Sequence, residues 1–140
     1  MGRAVYTNNT LAQVTREATR LAAAQASWVG RTTTDEPACN APAGPVCPAD
    51  VVALKGNVVA AANRMSVGMA TLLDTQVYMQ CNAAGSAAPT GAWTTNTCAS
   101  RTSGSQVSIR IVYPFQMITP VVGQIANNLS LAASATMVVN

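Results

Sequence analysis

The chain has 140 residues, a length that suits one domain and is too short for a second full domain. Only 9% of the residues are charged and the net charge of +3 comes from scattered side chains, which excludes the basic run expected of a nucleic-acid-binding protein. A surface rich in Ala, Thr, Val, Asn and Ser is typical of many secreted or assembled proteins rather than of cytosolic enzymes.

The side chains that most often carry out catalysis are scarce. The chain has no histidine, which is the usual general base and the commonest metal ligand. Asp35 and Glu36 adjoin each other, and we interpret them as solvated loop residues. Lys55 is the only lysine, and Ser66 lies on a differently directed part of the same predicted helix, so a Ser–Lys dyad is not expected. Since no phosphate loop or dinucleotide fingerprint is present either, we expect a non-enzymatic protein without cofactor or metal.

Residues 1–29 are predicted to form a long helix. Its alanines favour a helix intrinsically, and Gly30 can end it. Apolar or small residues recur in steps of three and four, as on one helix face: Ala4, Leu11, Val14, Ala18, Leu21 and Trp28. We expect the four from Leu11 to Leu21 to be buried by the sheet of this domain or to face neighbouring helices.

Four cysteines, Cys39, Cys47, Cys81 and Cys98, form an even set without a Cys-x-x-Cys pair. Because there is no histidine to complete a zinc site, two disulfides are the better interpretation, and they indicate an oxidising compartment. Four cysteines permit three connectivities. We prefer Cys39 with Cys47 and Cys81 with Cys98, since each pair brackets a short excursion that contains Pro or Gly.

A cysteine-bearing loop and a second helix are predicted next. Four prolines exclude regular structure from residues 31–48. Pro48 can occupy the first turn of a helix over residues 49–71, where its missing N–H costs nothing, and Asp50 adds a favourable charge there. The helical period runs through Val51, Leu54, Val58, Ala62, Met65 and Met69. We expect this helix to end between Val67 and Thr71.

Residues 73–140 are predicted to be rich in strands. Alternating apolar residues favour three strands: Leu73 to Cys81, Gln106 to Tyr113 and Leu129 to Val139. We interpret residues 82–105 as an excursion at the edge of the fold, in which Trp93 either packs on the domain or forms an exposed contact. Residues 115–125 are expected to form a short apolar, helical connection, and the order of the strands stays open.

The beginning of the chain and its last strands each carry a motif. The first covers residues 2–23, with Gly2, Arg3, Ala4, Tyr6, Asn9, Leu11, Arg16, Glu17 and Arg20 at the matching positions. The second is VSIRIVYPFQMITPVVG, a strand followed by Tyr-Pro-Phe and a Pro-interrupted apolar segment. Both resemble the TadE/TadG-like pilus-assembly proteins, the minor pseudopilins of the tight-adherence (Flp, type IVc) system. Ala18 and Thr19 depart mildly from the pattern, in which Gly and Ala are more usual.

The resemblance implies a pilin-like plan, in which a long N-terminal helix lies against a small antiparallel sheet. This plan agrees with the single α+β domain that the order helix, helix, strands predicts for residues 1–140. It also implies a hydrophobic helix before Gly2 that anchors the protein in the inner membrane, with the domain in the periplasm or displayed in an extracellular pilus. The chain itself has no signal peptide and no apolar run near the ~20 residues that span a bilayer, so we expect such a segment to precede it.

The function implied by the resemblance is that of a structural minor pilin, which takes part in the assembly or initiation of a pilus with other pilin or assembly subunits. Arg3, Tyr6 and Thr7 lie nearest the expected membrane segment and are the candidate partner contacts. One alternative is a secreted adhesion or ligand-binding module that uses Trp93. Another is a periplasmic assembly factor that never enters the filament.

Overall fold

The computed structural model describes residues 2–30, 47–85, 93, 96–98, 102–115 and 130–139. Two helices come first, α1 (Gly2–Ala26) and α2 (Val51–Met65), followed by a 3-10 turn (Asp74–Gln76). Four strands complete the described elements: β1 (Val77–Asn82), β2 (Asn96–Cys98), β3 (Gln106–Pro114) and β4 (Ser130–Val138). The fold is therefore α+β, with a long N-terminal helix and a second helix, as the sequence predicts.

Helix α1 ends slightly earlier than expected. It stops at Ala26 instead of near Val29, and residues 27–30 form a turn in which the Trp28 amide donates to the Gln25 carbonyl (3.0 Å). Gly30 follows with a φ of 75°, a left-handed conformation that glycine adopts without steric cost. The Gly30 amide donates to the Pro48 carbonyl (2.9 Å), which brings the start of the next segment back to the end of α1.

Helix α2 is shorter than predicted at both ends. Pro48 lies outside it, and Asp50 is its N-cap, since the Asp50 carboxylate accepts a hydrogen bond from the Ala53 amide (2.7 Å). The helix ends at Met65, before the expected range, and Gly68 has a φ of 83° that a helix cannot accommodate. The segment after the helix is bound by the Asn63 side chain, which accepts a hydrogen bond from the Leu72 amide (2.7 Å) and donates one to the Leu72 carbonyl (3.1 Å).

The sheet has the strand order β2-β1-β3-β4. Strands β1, β3 and β4 are antiparallel as expected, and β3 and β4 are neighbours, which answers the question of strand order that the sequence leaves open. Strand β2 is parallel to β1, so the sheet is mixed and the expectation of a purely antiparallel sheet is wrong at this edge. At three residues, β2 is too short to show an alternating pattern.

Strand β1 begins later than predicted. Residues 74–76 form the 3-10 turn, and the strand starts at Val77. The Gln76 amide donates to the Leu73 carbonyl (3.0 Å) within this turn, and the Lys55 ammonium donates to the Asp74 carbonyl (3.0 Å) and to the Asp74 carboxylate (3.1 Å). Leu73, expected as an inward strand residue, is 59% exposed.

The hydrophobic core lies between the helices and one face of the sheet. Helix α1 packs over β3 and β4 and against α2, which contacts β2. The sheet contributes Val77, Met79, Cys81, Cys98, Val107, Ile109 and Ile111, all buried. Met79 pairs with Ile109 and Val77 with Ile111 across the strands, so these side chains point to the same face.

One of the two expected disulfides is described. Cys81 and Cys98 are bonded, and they are direct neighbours on β1 and β2. The expected partner of Cys47, Cys39, lies outside the described residues, so that bridge stays a prediction. The same holds for most of the loop over residues 31–48 and for the connection over residues 115–125, of which only Phe115 is described.

Candidate interaction surface on the first helix

Helix α1 has an exposed beginning and a buried remainder. Val5 is 60% exposed and Tyr6 57%, and Arg3 is exposed as well. From Thr7 onward one face is covered, and Thr7 itself is only 6% exposed. We call Val5 and Tyr6 the apolar patch. Two adjoining apolar side chains of this size in water are a candidate contact surface, whereas Thr7 is not available to a partner.

The stripe predicted from the sequence is buried only in its middle, since Ala4 and Trp28 are half-buried. Leu11, Val14 and Ala18 are at most 2% exposed, but Leu21 is only half-buried. After Ala18 the buried face continues through Ala22 and Ala23. Their small side chains let the helix approach the layer beneath it closely.

Polar residues that hydropathy does not mark also belong to the buried face of α1. Thr15 and Thr19 are buried, and their hydroxyls donate to the carbonyls of Leu11 (2.7 Å) and Thr15 (2.6 Å), four residues earlier. These hydroxyls are therefore satisfied within the helix and can face a core. The spacing of four residues between the two threonines, beside Leu11 and Ala18, is the signal that could have placed them there.

The C-terminal part of α1 is joined to α2 by a polar contact. Gln25 is 2% exposed, and its side-chain carbonyl accepts a hydrogen bond from the Asn57 amide group (3.2 Å). Lys55 is 4% exposed and joins α2 to the turn at Asp74. The first contact joins the two helices, and the second joins α2 to the turn that precedes β1. The sequence signal that could have indicated the contact of Lys55 with Asp74 is a lone lysine within an apolar helical stripe.

A cleft of about 370 Å³ lies beside the beginning of α1. Arg3 and Thr7 line one side, and residues 68–71, Gln76 and residues 113–115 line the rest. The Tyr113 hydroxyl accepts a hydrogen bond from the Ala70 amide (2.9 Å), which holds the segment after α2 against the end of β3. Arg3 is the only charged side chain among the described residues that line this cleft.

A second groove, of about 310 Å³, lies between the exposed sides of α1 and α2. It is lined by Glu17, Arg20, Leu21, Ala24, Ala61 and Met65. Arg20 and Glu17 form an ion pair at 3.0 Å, with their side chains 74% and 47% exposed, so the pair contributes only a few tenths of a kcal/mol. Leu21, predicted as a packing residue, thus lies at the edge of a partly apolar groove.

One further sequence prediction that falls on a described residue concerns Trp93. Trp93 is half-buried, and most of its neighbours along the chain are not described, so its surroundings do not favour either of its two predicted uses. Among the described residues, no group of three or more His, Cys, Asp or Glu side chains is arranged to hold a metal ion.

Comparison of the chain with family models, with curated proteins and with solved structures finds no match in any of the three. The resemblance of the two motifs to TadE/TadG-like proteins therefore stays a hypothesis. The helices within the described ranges are also too short or too polar to cross a membrane.

Proposed function

We propose that this chain is the extracytoplasmic part of a structural, non-enzymatic minor pilin of a tight-adherence (type IVc) pilus. It takes part in pilus assembly or initiation together with other pilin or assembly subunits. A hydrophobic helix that precedes Gly2 anchors it in the inner membrane, as in the TadE/TadG-like proteins that both motifs resemble.

The division of α1 is the observation that carries this proposal. The helix is held in the domain from Thr7 to Ala26, so the direction of its first turns is set by the core. Val5 and Tyr6 project from this rigid base with more than half of their surface in water. A hydrophobic segment before Gly2 would continue α1 as one helix, and the apolar patch would then lie next to the membrane, where neighbouring subunits meet.

The chemistry of the chain supports a structural rather than an enzymatic role. The sequence contains no histidine, and its only lysine, Lys55, is buried and occupied with Asp74. The buried polar side chains of the helices have structural partners: Gln25 joins α1 to α2 through Asn57, and the Thr15 and Thr19 hydroxyls donate within α1. The Cys81–Cys98 bridge suits a domain displayed outside the cytoplasm.

The experiment deletes the full-length gene and complements it with the native gene or with one of two variants. Val5→Asp places a charge in the apolar patch, and Val52→Asp is the matched control, since both valines are on helices and are 60% and 72% exposed. We expect deletion to abolish surface pili, Val52→Asp to restore them as well as the native gene does, and Val5→Asp to leave them strongly reduced.

Unchanged piliation in the deletion strain would contradict the proposal. Mass spectrometry of purified filaments separates a filament subunit, which is present in them, from an assembly factor, which is not. A strain in which pili are normal but Trp93→Ala abolishes adhesion would favour the adhesion module instead.

A further inference from the structure

Strand β4 forms one edge of the sheet and is nine residues long. Among the described residues, β3 is the only strand that pairs with it. Its sequence, SLAASATMV, contains no charged residue and no proline. Natural edge strands are usually short, charged or interrupted by proline, because a regular edge invites pairing with another strand. The opposite edge follows that rule, since β2 has three residues and is tied to β1 by a disulfide.

The hydrogen bonds of Val139 show which backbone groups of β4 point outward. The Val139 amide donates to the Ser105 carbonyl (2.7 Å), and the Val139 carbonyl accepts from the Gly104 amide (2.9 Å). Both groups therefore face the β3 side. Because the two sides alternate along a strand, the outward N–H and C=O groups belong to Ser130, Ala132, Ser134, Thr136 and Val138.

The strand is complementary to itself about Ser134. If two copies run antiparallel with Ser134 opposite Ser134, Leu131 lies opposite Met137 and Ala133 opposite Ala135 on the helix face. Residues directly opposite each other share a face, so large apolar side chains meet each other and small ones meet each other. The outward groups of the five even-numbered residues then form about ten backbone hydrogen bonds.

We propose that β4 pairs antiparallel with β4 of a second copy of this chain, with the two-fold axis at Ser134. The two four-stranded sheets join into one, and both α1 helices lie on the same side of it. A two-fold pair is the commonest closed assembly, and here no like charges oppose each other across the axis. The pairing does not depend on the proposed role in a pilus and is a property of the domain in solution.

The experiment measures the mass of the chain by sedimentation equilibrium up to about 1 mM, a range that detects dissociation constants in the micromolar to millimolar range. Two double variants test the register, since Ser130 faces Val138 of the second copy only when Ser134 lies on the axis. Both positions are exposed, and their direct partners on β3 are Pro114 and Gln106, so neither charge lies opposite a charged residue of β3 in its own chain.

We expect the native chain to reach twice its 14.4 kDa mass. S130K/V138E places opposite charges across the interface and dimerises at least as strongly, whereas S130K/V138K places like charges there and weakens association at least tenfold. Ala132→Pro removes one outward N–H and, as a second disrupting variant, also gives a monomer. Circular dichroism and thermal unfolding verify that each variant is folded.

A native chain that stays monomeric throughout the range would overturn the proposal. So would a dimer that none of the three variants affects, because association would then use another surface. Equal loss of the dimer in both double variants would overturn the register about Ser134.

Discussion

The two ends of α1 have the same secondary structure but opposite surroundings. Leu11 and Ala18, in the packed part, are fully buried, whereas Val5 and Tyr6, in the first turns, are 60% and 57% exposed. Helix propensity does not explain the difference, because both parts are helical without a break. The packed part is covered by the sheet and α2, whereas the apolar patch is not, and the proposed function assigns its contacts to a partner.

The largest effect is expected from breaking the packed part. Leu11→Ala removes a fully buried side chain and leaves a cavity, so we expect a loss of about 2 to 5 kcal/mol in the free energy of unfolding. Denaturant titration measures it. Leu73→Ala, at a position 59% exposed, is the matched control and costs under about 1 kcal/mol. Equal losses in both variants would show that α1 is not part of the core.

The second-largest loss of stability is expected at the contact between α1 and α2. Gln25→Ala removes the acceptor of the Asn57 hydrogen bond from a position 2% exposed, and we expect a loss of about 1 to 3 kcal/mol. Gln13→Ala, on the exposed side of the same helix, is the control and should change stability by less than about 0.5 kcal/mol. Thermal unfolding followed by circular dichroism distinguishes the two. A Gln25→Ala variant as stable as the control would show that the Gln25–Asn57 hydrogen bond does not stabilise the fold.

A smaller effect is expected where a buried polar group is satisfied by its own helix. Thr19→Val keeps the side-chain shape and deletes a hydroxyl whose acceptor, the Thr15 carbonyl, also accepts the Thr19 backbone amide within the helix. Stability should therefore change by no more than about 1 kcal/mol, and Thr19→Ala, which leaves a void, should cost more. The reverse order in denaturant titration would mean that the hydroxyl matters more than the packing.

The smallest effect on stability is expected in the apolar patch. Tyr6→Ala should change the free energy of unfolding by less than about 0.5 kcal/mol, since the side chain is 57% exposed. Under the proposed function, its effect should appear in complex formation with pilus subunits, measured by co-purification from membranes. A large loss of stability without loss of binding would contradict the division between the two ends of α1.

Much of the fold could be predicted from strong local patterns. The alternation from Gln106 to Tyr113 marked β3, and the Cys81–Cys98 bridge followed from the excursion that the two cysteines bracket. The elements that escaped prediction depend on contacts distant in sequence. Strand β2 is defined only by its pairing with β1.

The candidate surface was less predictable than the fold. The stripe through Leu11, Val14 and Ala18 indicated the buried face, but the position of its edge depends on what lies beneath the helix. Leu21 is half-buried, while the polar Thr19 is fully buried because its hydroxyl finds a partner within the helix. Tyr6 was a candidate contact through the family resemblance, and its exposure could be read only from the structure.

The most direct test of the central claim is site-specific photo-crosslinking in cells that assemble pili. A photoreactive phenylalanine analogue replaces Tyr6 in one strain and Val52 in another, both exposed helical positions. We predict that position 6 crosslinks to another pilin or pilus-assembly subunit and that position 52 does not. Crosslinks from position 52 alone, or from neither position, would contradict the account of α1 as a helix whose first turns meet a partner.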